Sequence, residues 1–188
     1  MPKLWNATIE SHRAAVRDAT LAATAELVSA HGVSSVTMSQ IASETGIGRA
    51  TLYKYFPDVN TILLAWHEQQ VSSHLEELAQ VSQETRGDAI HRLRAVLSAY
   101  ALMSSHAEAS DQVAMLHRGD HIARADAELH EFVAKLVREA AEAGSVRRDV
   151  PADELAAYCL HAVGASASLA SKAAIGRLVT VTIAGLQA

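Results

Sequence analysis

The chain has 188 residues, of which 49% are hydrophobic, a formal charge of −5 and a single cysteine. That is enough apolar material to bury a real core in one domain or two small ones, and too much for a disordered chain, while the lone Cys159 excludes an internal disulfide. No apolar run is long enough to span a bilayer, and the opening MPKLWNATIESHR lacks the apolar core of a secretion signal, so a cytoplasmic protein with no membrane partner is expected.

Residues 12–31 place Val16, Thr20, Ala23, Leu27 and Ala30 at three- and four-residue spacing, with Ser11 as candidate cap and Gly32 as the stop, and predict a first helix. The run TMSQIASETGIGRATLYKYFP, residues 37–57, reads as two short helices around a glycine turn. Thr37 is a good N-cap, because its hydroxyl can accept from an otherwise unpaired backbone N–H. Ile41 is apolar and Ala42 small where another helix must cross. Gly46 ends the first short helix in a left-handed conformation that costs little only for glycine, and Ile47 returns the chain to the core. Gly48, Arg49, Ala50 and Thr51 open a second helix whose inward side is Leu52 and Phe56. This order gives a helix-turn-helix with its second helix free to enter a major groove.

After Pro57 an apolar pattern runs through Ile62, Leu63, Trp66, Val71, Leu75 and Leu78 until Arg86-Gly87-Asp88 breaks it. Further helices are predicted at 90–103, briefly at 113–116, at 129–143, and as a pair at 152–171 and 173–187, with Gly144 and Pro151 as punctuation. The run Leu178-Val179-Thr180-Val181-Thr182-Ile183 alternates and is β-branched, which favours a strand on propensity. A lone strand would have no partner, however, and Ile175, Leu178, Val179, Thr182 and Leu186 fit one helical stripe, so helix is predicted. The fold class is all-α, with about nine helices.

The charge is unevenly spread. Residues 1–56 carry Lys3, Arg13, Arg17, Arg49 and Lys54 against Glu10, Asp18, Glu26 and Glu44, a balance of +1 that leaves −6 for the remainder. An acidic body disfavours indiscriminate binding along phosphate backbone, while a few donors at the head still supply local attraction.

GIGRATLYKYFP resembles the end of the DNA-binding domain of the TetR family of transcriptional regulators. The upstream pattern, His31-Gly32-Val33 followed by Val36-Thr37-Met38 and Ile41-Ala42, is similar to the same family's first two helices, so the likeness covers roughly residues 12–66. A turn, an Arg-Ala-Thr-Leu-Tyr run and a Tyr-Phe-Pro ending at one spacing form a specific signature. The resemblance implies an N-terminal three-helix DNA-binding domain over 1–57 and a C-terminal helical ligand-sensing and dimerisation domain over 58–188. It also implies a homodimer through the final two helices, residues 152–187, setting two heads on two half-sites of a near-palindromic double-stranded operator. Residues 162–174, AVGASASLASKAA, are small enough to let another helix approach, either across such an interface or as an ordinary core seam.

Within the head, Arg49 can offer its fork of donors to guanine O6 and N7. Thr51 suits a thymine methyl or a phosphate, and Tyr53, Lys54 and Tyr55 occupy positions where TetR-family proteins commonly contact backbone or bases. Thr37 and Ser39 can present hydroxyl and N–H groups to a phosphate. The bland alternatives are a solvated arginine, tyrosines packed into the core and a threonine that only caps. One departure is Asp58-Val59-Asn60, where many relatives carry a lysine, leaving backbone N–H groups alone to meet a phosphate.

The resemblance further implies a small-molecule effector entering among the middle helices, with Trp66, Tyr100, Met103, Met115, Leu116 and Phe132 as candidate walls and an apolar or weakly polar ligand. His117 with His121, and His67 with His74, share helical spacings but lack the cysteines or carboxylates of a convincing zinc site, so no metal is expected. Nor is there a nucleophile motif, a phosphate-cradling glycine loop or a cysteine pair, so neither cofactor nor enzymatic activity is expected. The favoured reading is a dimeric, ligand-released repressor. Its rival is a helical small-molecule binding protein or enzyme with a vestigial head.

Overall fold

Helix follows helix along the whole of the computed structural model, which describes residues 2–105 and 120–187. Eight α-helices occur there: α1 (Pro2–His31), α2 (Met38–Thr45), α3 (Arg49–Tyr55), α4 (Val59–Glu84), α5 (Ala89–Ser105), α6 (Asp120–Glu142), α7 (Ala152–Gly164) and α8 (Lys172–Ala184). Short 3-10 turns lie at Val33–Ser35 and Ala165–Ser168, and no strand is present among the described residues. The all-α expectation holds. The short helix expected at 113–116, with the candidate wall residues Met115 and Leu116, lies outside the described residues, as does His117.

Several boundaries differ from expectation. Helix α1 begins at Pro2, so Ser11 lies within it rather than capping it; proline is well suited to a first helical position, where the missing N–H is not needed. Helix α6 begins at Asp120 rather than near 129, carried by alanine, arginine and glutamate, all good helix formers. The predicted helix 152–171 stops at Gly164. Beyond it Ser168 Oγ donates to Ala165 O at 2.8 Å, and Ser171 accepts from Ala174 N–H at 3.2 Å as the cap of α8. Serines bonding their own backbone offer an alternative to the helix, so the small-residue stretch 162–174 is largely a corner and not a continuous helix face.

The described residues form two compact units, the first running through Gln70 and the second made of residues 71–105 and 120–187. In the first, α1, α2 and α3 pack with the opening turns of α4 around Leu21, Ile41, Leu52, Phe56, Ile62 and Leu63. Thr20 and Thr24 on α1 are fully buried, and each hydroxyl donates to the carbonyl one turn back, Val16 O at 2.7 Å and Thr20 O at 2.8 Å. The Arg17 guanidinium lies 5.9 Å over the Phe56 ring, close enough for a cation–π contact.

In the second unit α5 packs on α6 and α8, and α7 packs on α6 and α8. The core is almost wholly aliphatic: Leu93, Val96, Leu97, Val133, Val137, Val163 and Ile183 are fully buried. The β-branched run in α8 is helical because Ile175, Val179, Thr182 and Ile183 fall on one buried face. Thr182 donates to Leu178 O at 2.9 Å, so its hydroxyl is satisfied there. Arg92 on α5 and Glu139 on α6 form an ion pair at 2.8 Å across the two helices. Arg147 N–H donates to Leu186 O at 2.8 Å, pinning the end of the chain to the loop before α7. At Gly185 a Cβ would sit 2.8 Å from the Tyr158 hydroxyl oxygen, so glycine there lets the phenol lie against the backbone.

Candidate nucleic-acid interface

The head's outer surface is set by how α2 begins and ends. Thr37 Oγ1 accepts from Gln40 N–H at 3.3 Å as the cap of α2 and donates to Gln40 Oε1 at 2.6 Å, which fixes the orientation of its hydroxyl. At the other end Gly46 has φ 67°, the left-handed conformation expected of it. Thr45 Oγ1 donates to Ile41 O at 2.7 Å and accepts from Ile47 N–H at 3.2 Å, which steadies the turn into α3. With the turn fixed, Ile41 and Leu52 are wholly buried and Phe56 nearly so, and the remaining faces of both short helices are left outward.

The side chains expected to meet DNA divide accordingly. Arg49, Tyr53, Lys54, Thr37 and Ser39 are exposed, with Tyr53 at 53%. Thr51 and Tyr55 are half-buried, and Tyr55 packs against the head core. Arg49 Nη1 donates to Ser39 Oγ at 3.2 Å, a bond from the start of α3 to the start of α2 that no sequence pattern announces. Gly48 precedes α3 without a side-chain cap.

At the start of α4 Asp58 Oδ1 accepts from Thr61 N–H at 2.7 Å and from Thr61 Oγ1 at 2.9 Å. These bonds, the backbone one foremost, hold the Asp58 carboxyl below the ordinary aspartate range. The departure seen in the sequence therefore has a structural role as a helix cap. One of the amides expected to be free for a phosphate is already taken, and a carboxylate stands beside it.

The candidate wall residues that are described belong to both units. Trp66 packs against the head core, and its indole Nε1 is buried without a hydrogen-bond partner among the described residues. Tyr100, Met103 and Phe132 pack, half-buried, against the core of the second unit. Burial pushes the Tyr100 hydroxyl above its ordinary pKa, with Ser104 bonding to it in the opposing sense. The second unit also has an open cleft of about 400 Å³ between the end of α6 and the start of α7, over Val137, Ala141, Val150 and Leu155 and rimmed by Arg138, Arg147 and Arg148. Two of those arginines are occupied: Arg148 donates to Ala141 O and Glu142 O at 2.7 and 2.9 Å, and Arg147 forks onto Asp149 at 2.7 and 2.6 Å. The cleft was missed because it is assembled from two helices and a loop that share no sequence pattern.

His67 and His121 are buried and His74 exposed. Among the described residues no group of three or more histidine, cysteine, aspartate or glutamate side chains is placed to hold a metal. No helix among them is long and apolar enough to cross a membrane.

Residues 21–65 match the family model of bacterial regulatory proteins, tetR family. Residues 90–188, more than half of the chain, match that of the transcriptional regulator SbtR-like C-terminal domain. Among solved structures, a TetR/AcrR family regulator from Thermobifida fusca superposes with a TM-score of 0.70 at 16% identity, covering 92% of this chain and 98% of that one. The FadR regulator of Bacillus subtilis, in complex with stearoyl-CoA, gives 0.65 at 14% identity over 90% and 98%. RolR in complex with resorcinol gives 0.64 at 18% identity over 94% and 90%. At these identities the likeness is one of fold. No curated protein sequence is significantly similar to the chain.

Proposed function

Since this chain belongs to the TetR family of bacterial transcriptional regulators, we propose that it is a repressor that binds a near-palindromic operator as a homodimer and is released by a small-molecule effector. The observation that carries the reading is the orientation of the head. Ile41, Leu52 and Phe56 are sequestered while Arg49, Tyr53, Lys54 and Ser39 stand in solvent on the two short helices. A helix of seven residues with its polar side outward is a probe of major-groove size.

The roles follow from chemistry. Arg49 reads a guanine edge, and Tyr53, Lys54 and Ser39 fix register on the phosphate backbone. Thr51 and Tyr55, each half-buried, contribute at the margin of the contact, and Thr37 acts chiefly by capping α2. The functional division is taken at Pro57, with 1–57 as reading head and 58–188 as sensor and dimerisation body. Dimerisation is assigned to residues 152–187, where Tyr158 at 43% and Val181 at 66% are exposed large apolar side chains. Two such residues on the last two helices suit a face that a second copy covers.

For release, the effector must prefer one disposition of the heads. Shifting a two-state balance from 1:99 to 99:1 takes about 5.5 kcal/mol of differential affinity. Helix α4 is the natural transmitter, because Ile62, Leu63 and Ala65 belong to the head core and Leu75, Leu78 and Val81 to the body core. Half-buried Tyr100, Met103 and Phe132 suit an apolar or weakly polar effector.

The test is selection of bound sequences from a random DNA pool, followed by retardation of the recovered site. An imperfect palindrome is expected, and Arg49→Ala should lose about 1–3 kcal/mol of discrimination at one base pair per half-site. Effector binding with no footprint on any fragment would instead establish a helical binding protein whose head is vestigial.

A further inference from the structure

The guanidinium assigned to base reading is held, and the manner of holding assigns a task to Ser39. Arg49 Nη1 donates to Ser39 Oγ at 3.2 Å, bridging α3 to α2 between residues ten apart in sequence. We propose that Ser39 is a positioning residue that orients Arg49 for base reading and couples its placement to a phosphate contact. This rests on the reading of Arg49 given above.

Three observations carry it. First, the bond engages Nη1, the nitrogen on the Cδ side of the guanidinium. The opposite edge, made by Nε and Nη2, keeps two parallel donors, which is the pattern that guanine O6 and N7 accept. Ser39 therefore restrains the fork without using the edge that would read. Second, an unrestrained arginine loses much rotamer freedom when it is fixed on a base. Fixing it beforehand against an eight-residue helix removes part of that loss. Third, the two hydroxyls at the start of α2 are not equivalent. Thr37 already uses its proton, donating to Gln40 Oε1 at 2.6 Å while accepting from Gln40 N–H. Ser39 uses a lone pair toward Arg49 and keeps its own O–H for donation. A serine oxygen that accepts from a cation is a stronger donor through its proton. A phosphate oxygen is the acceptor that DNA would bring there, and the sequence phosphate–Ser39–Arg49–guanine would then make the base contact depend on correct backbone register.

The experiment compares wild type, Ser39→Ala, Ser39→Thr, Arg49→Ala and the double variant Ser39→Ala/Arg49→Ala, all full length and at one salt concentration. Affinity is measured for the selected operator and for the same DNA altered at the base pair lost in Arg49→Ala. Thermal melting shows that each variant is folded. Ser39→Ala is expected to reduce the operator-to-altered ratio by about five- to tenfold, the scale of one ordinary hydrogen bond at an exposed site. Ser39→Thr, which retains a hydroxyl, is expected to restore the ratio. In the Arg49→Ala background, removing Ser39 is expected to leave the ratio where it is. Equal weakening of both DNAs by Ser39→Ala would make the serine a simple phosphate contact and overturn the proposal. So would a loss that persists without Arg49, because the effect would then not pass through the guanidinium. A wild-type preference surviving Arg49→Ala would reject the base reader itself, an outcome visible before Ser39 is touched.

Discussion

Helices α2 and α3 are eight and seven residues long, whereas α5, α6, α7 and α8 run to 17, 23, 13 and 13. Isolated helices as short as the first two do not persist in water. They exist here because Ile41 and Leu52 are buried together and because Thr37 and Gly46 fix their ends. The longer helices of the second unit depend less on such devices, although Ser171 caps α8, since each lays an aliphatic stripe on its neighbours. In the head, then, Ile41 and Leu52 pack inward, Thr37 and Gly46 fix ends, and Arg49 and Lys54 face outward, so packing, termination and exposure fall largely on different residues. In the body the same apolar side chain serves as core and as candidate cavity wall. That difference is why one region declares its chemistry and the other conceals it.

The comparison is broken most severely by removing the head's central packing. Leu52→Ala should cost about 2–5 kcal/mol locally and abolish DNA retardation. Hydrogen exchange should show the amides of α2 and α3 losing protection while those of α6 and α7 keep theirs; uniform loss across both would contradict independent organisation of the head. A smaller effect is expected at the cap. Thr37→Ala should lower stability by about 1 kcal/mol, read in thermal unfolding, and should weaken DNA binding without changing base preference. Base preference altered by Thr37→Ala would give Thr37 a role beyond capping.

The body offers a subtler probe at Cys159. Burial pushes its thiol up to about 12 from the ordinary 9.0. Below the unfolded thiol's pKa both states hold the proton and stability is undiminished. Between about 9 and about 12 the unfolded chain releases its proton and the native state does not, so stability falls as pH rises through that window. Alkylation at neutral pH should be slow in native protein and fast in denaturant, and Cys159→Ala should lose this component of alkaline destabilisation. Rapid alkylation of the folded form would show that α7 opens readily.

Much of the head was legible because its determinants are local. A left-handed glycine, a capping threonine and an inward leucine each act within a few residues of where they are written, and Gly46, Thr37 and Leu52 behave as read. Helix as opposed to strand at 178–183 was also legible, because its apolar residues fit a single stripe. The start of α1 was misread at Ser11, since a serine before a periodic run looks like a cap whether or not the helix continues behind it. The corner at 165–171 was hidden because alanine and serine are helix-compatible one by one, and only together do the serine hydroxyls prefer their own backbone. Apolar character alone does not say which core Trp66, Tyr100, Met103 and Phe132 join. The Arg49–Ser39 bond joins two exposed polar residues, and no hydrophobic period marks such a pair.

The seat of Tyr158 against Gly185 has an evolutionary side. A methyl group at 185 would meet the far end of a half-exposed ring at 2.8 Å and backbone, the Thr182 carbonyl, only at an ordinary 3.4 Å, so the ring can swing outward and the fold survives. What changes is the relief of the surface proposed to meet a second copy. Duplicated genes need a cheap way to stop their products from mixing subunits, and a substitution that reshapes a mating surface while sparing the scaffold is such a way. Position 185 is therefore a place where sister lineages could diverge in partner choice before they diverge in anything else.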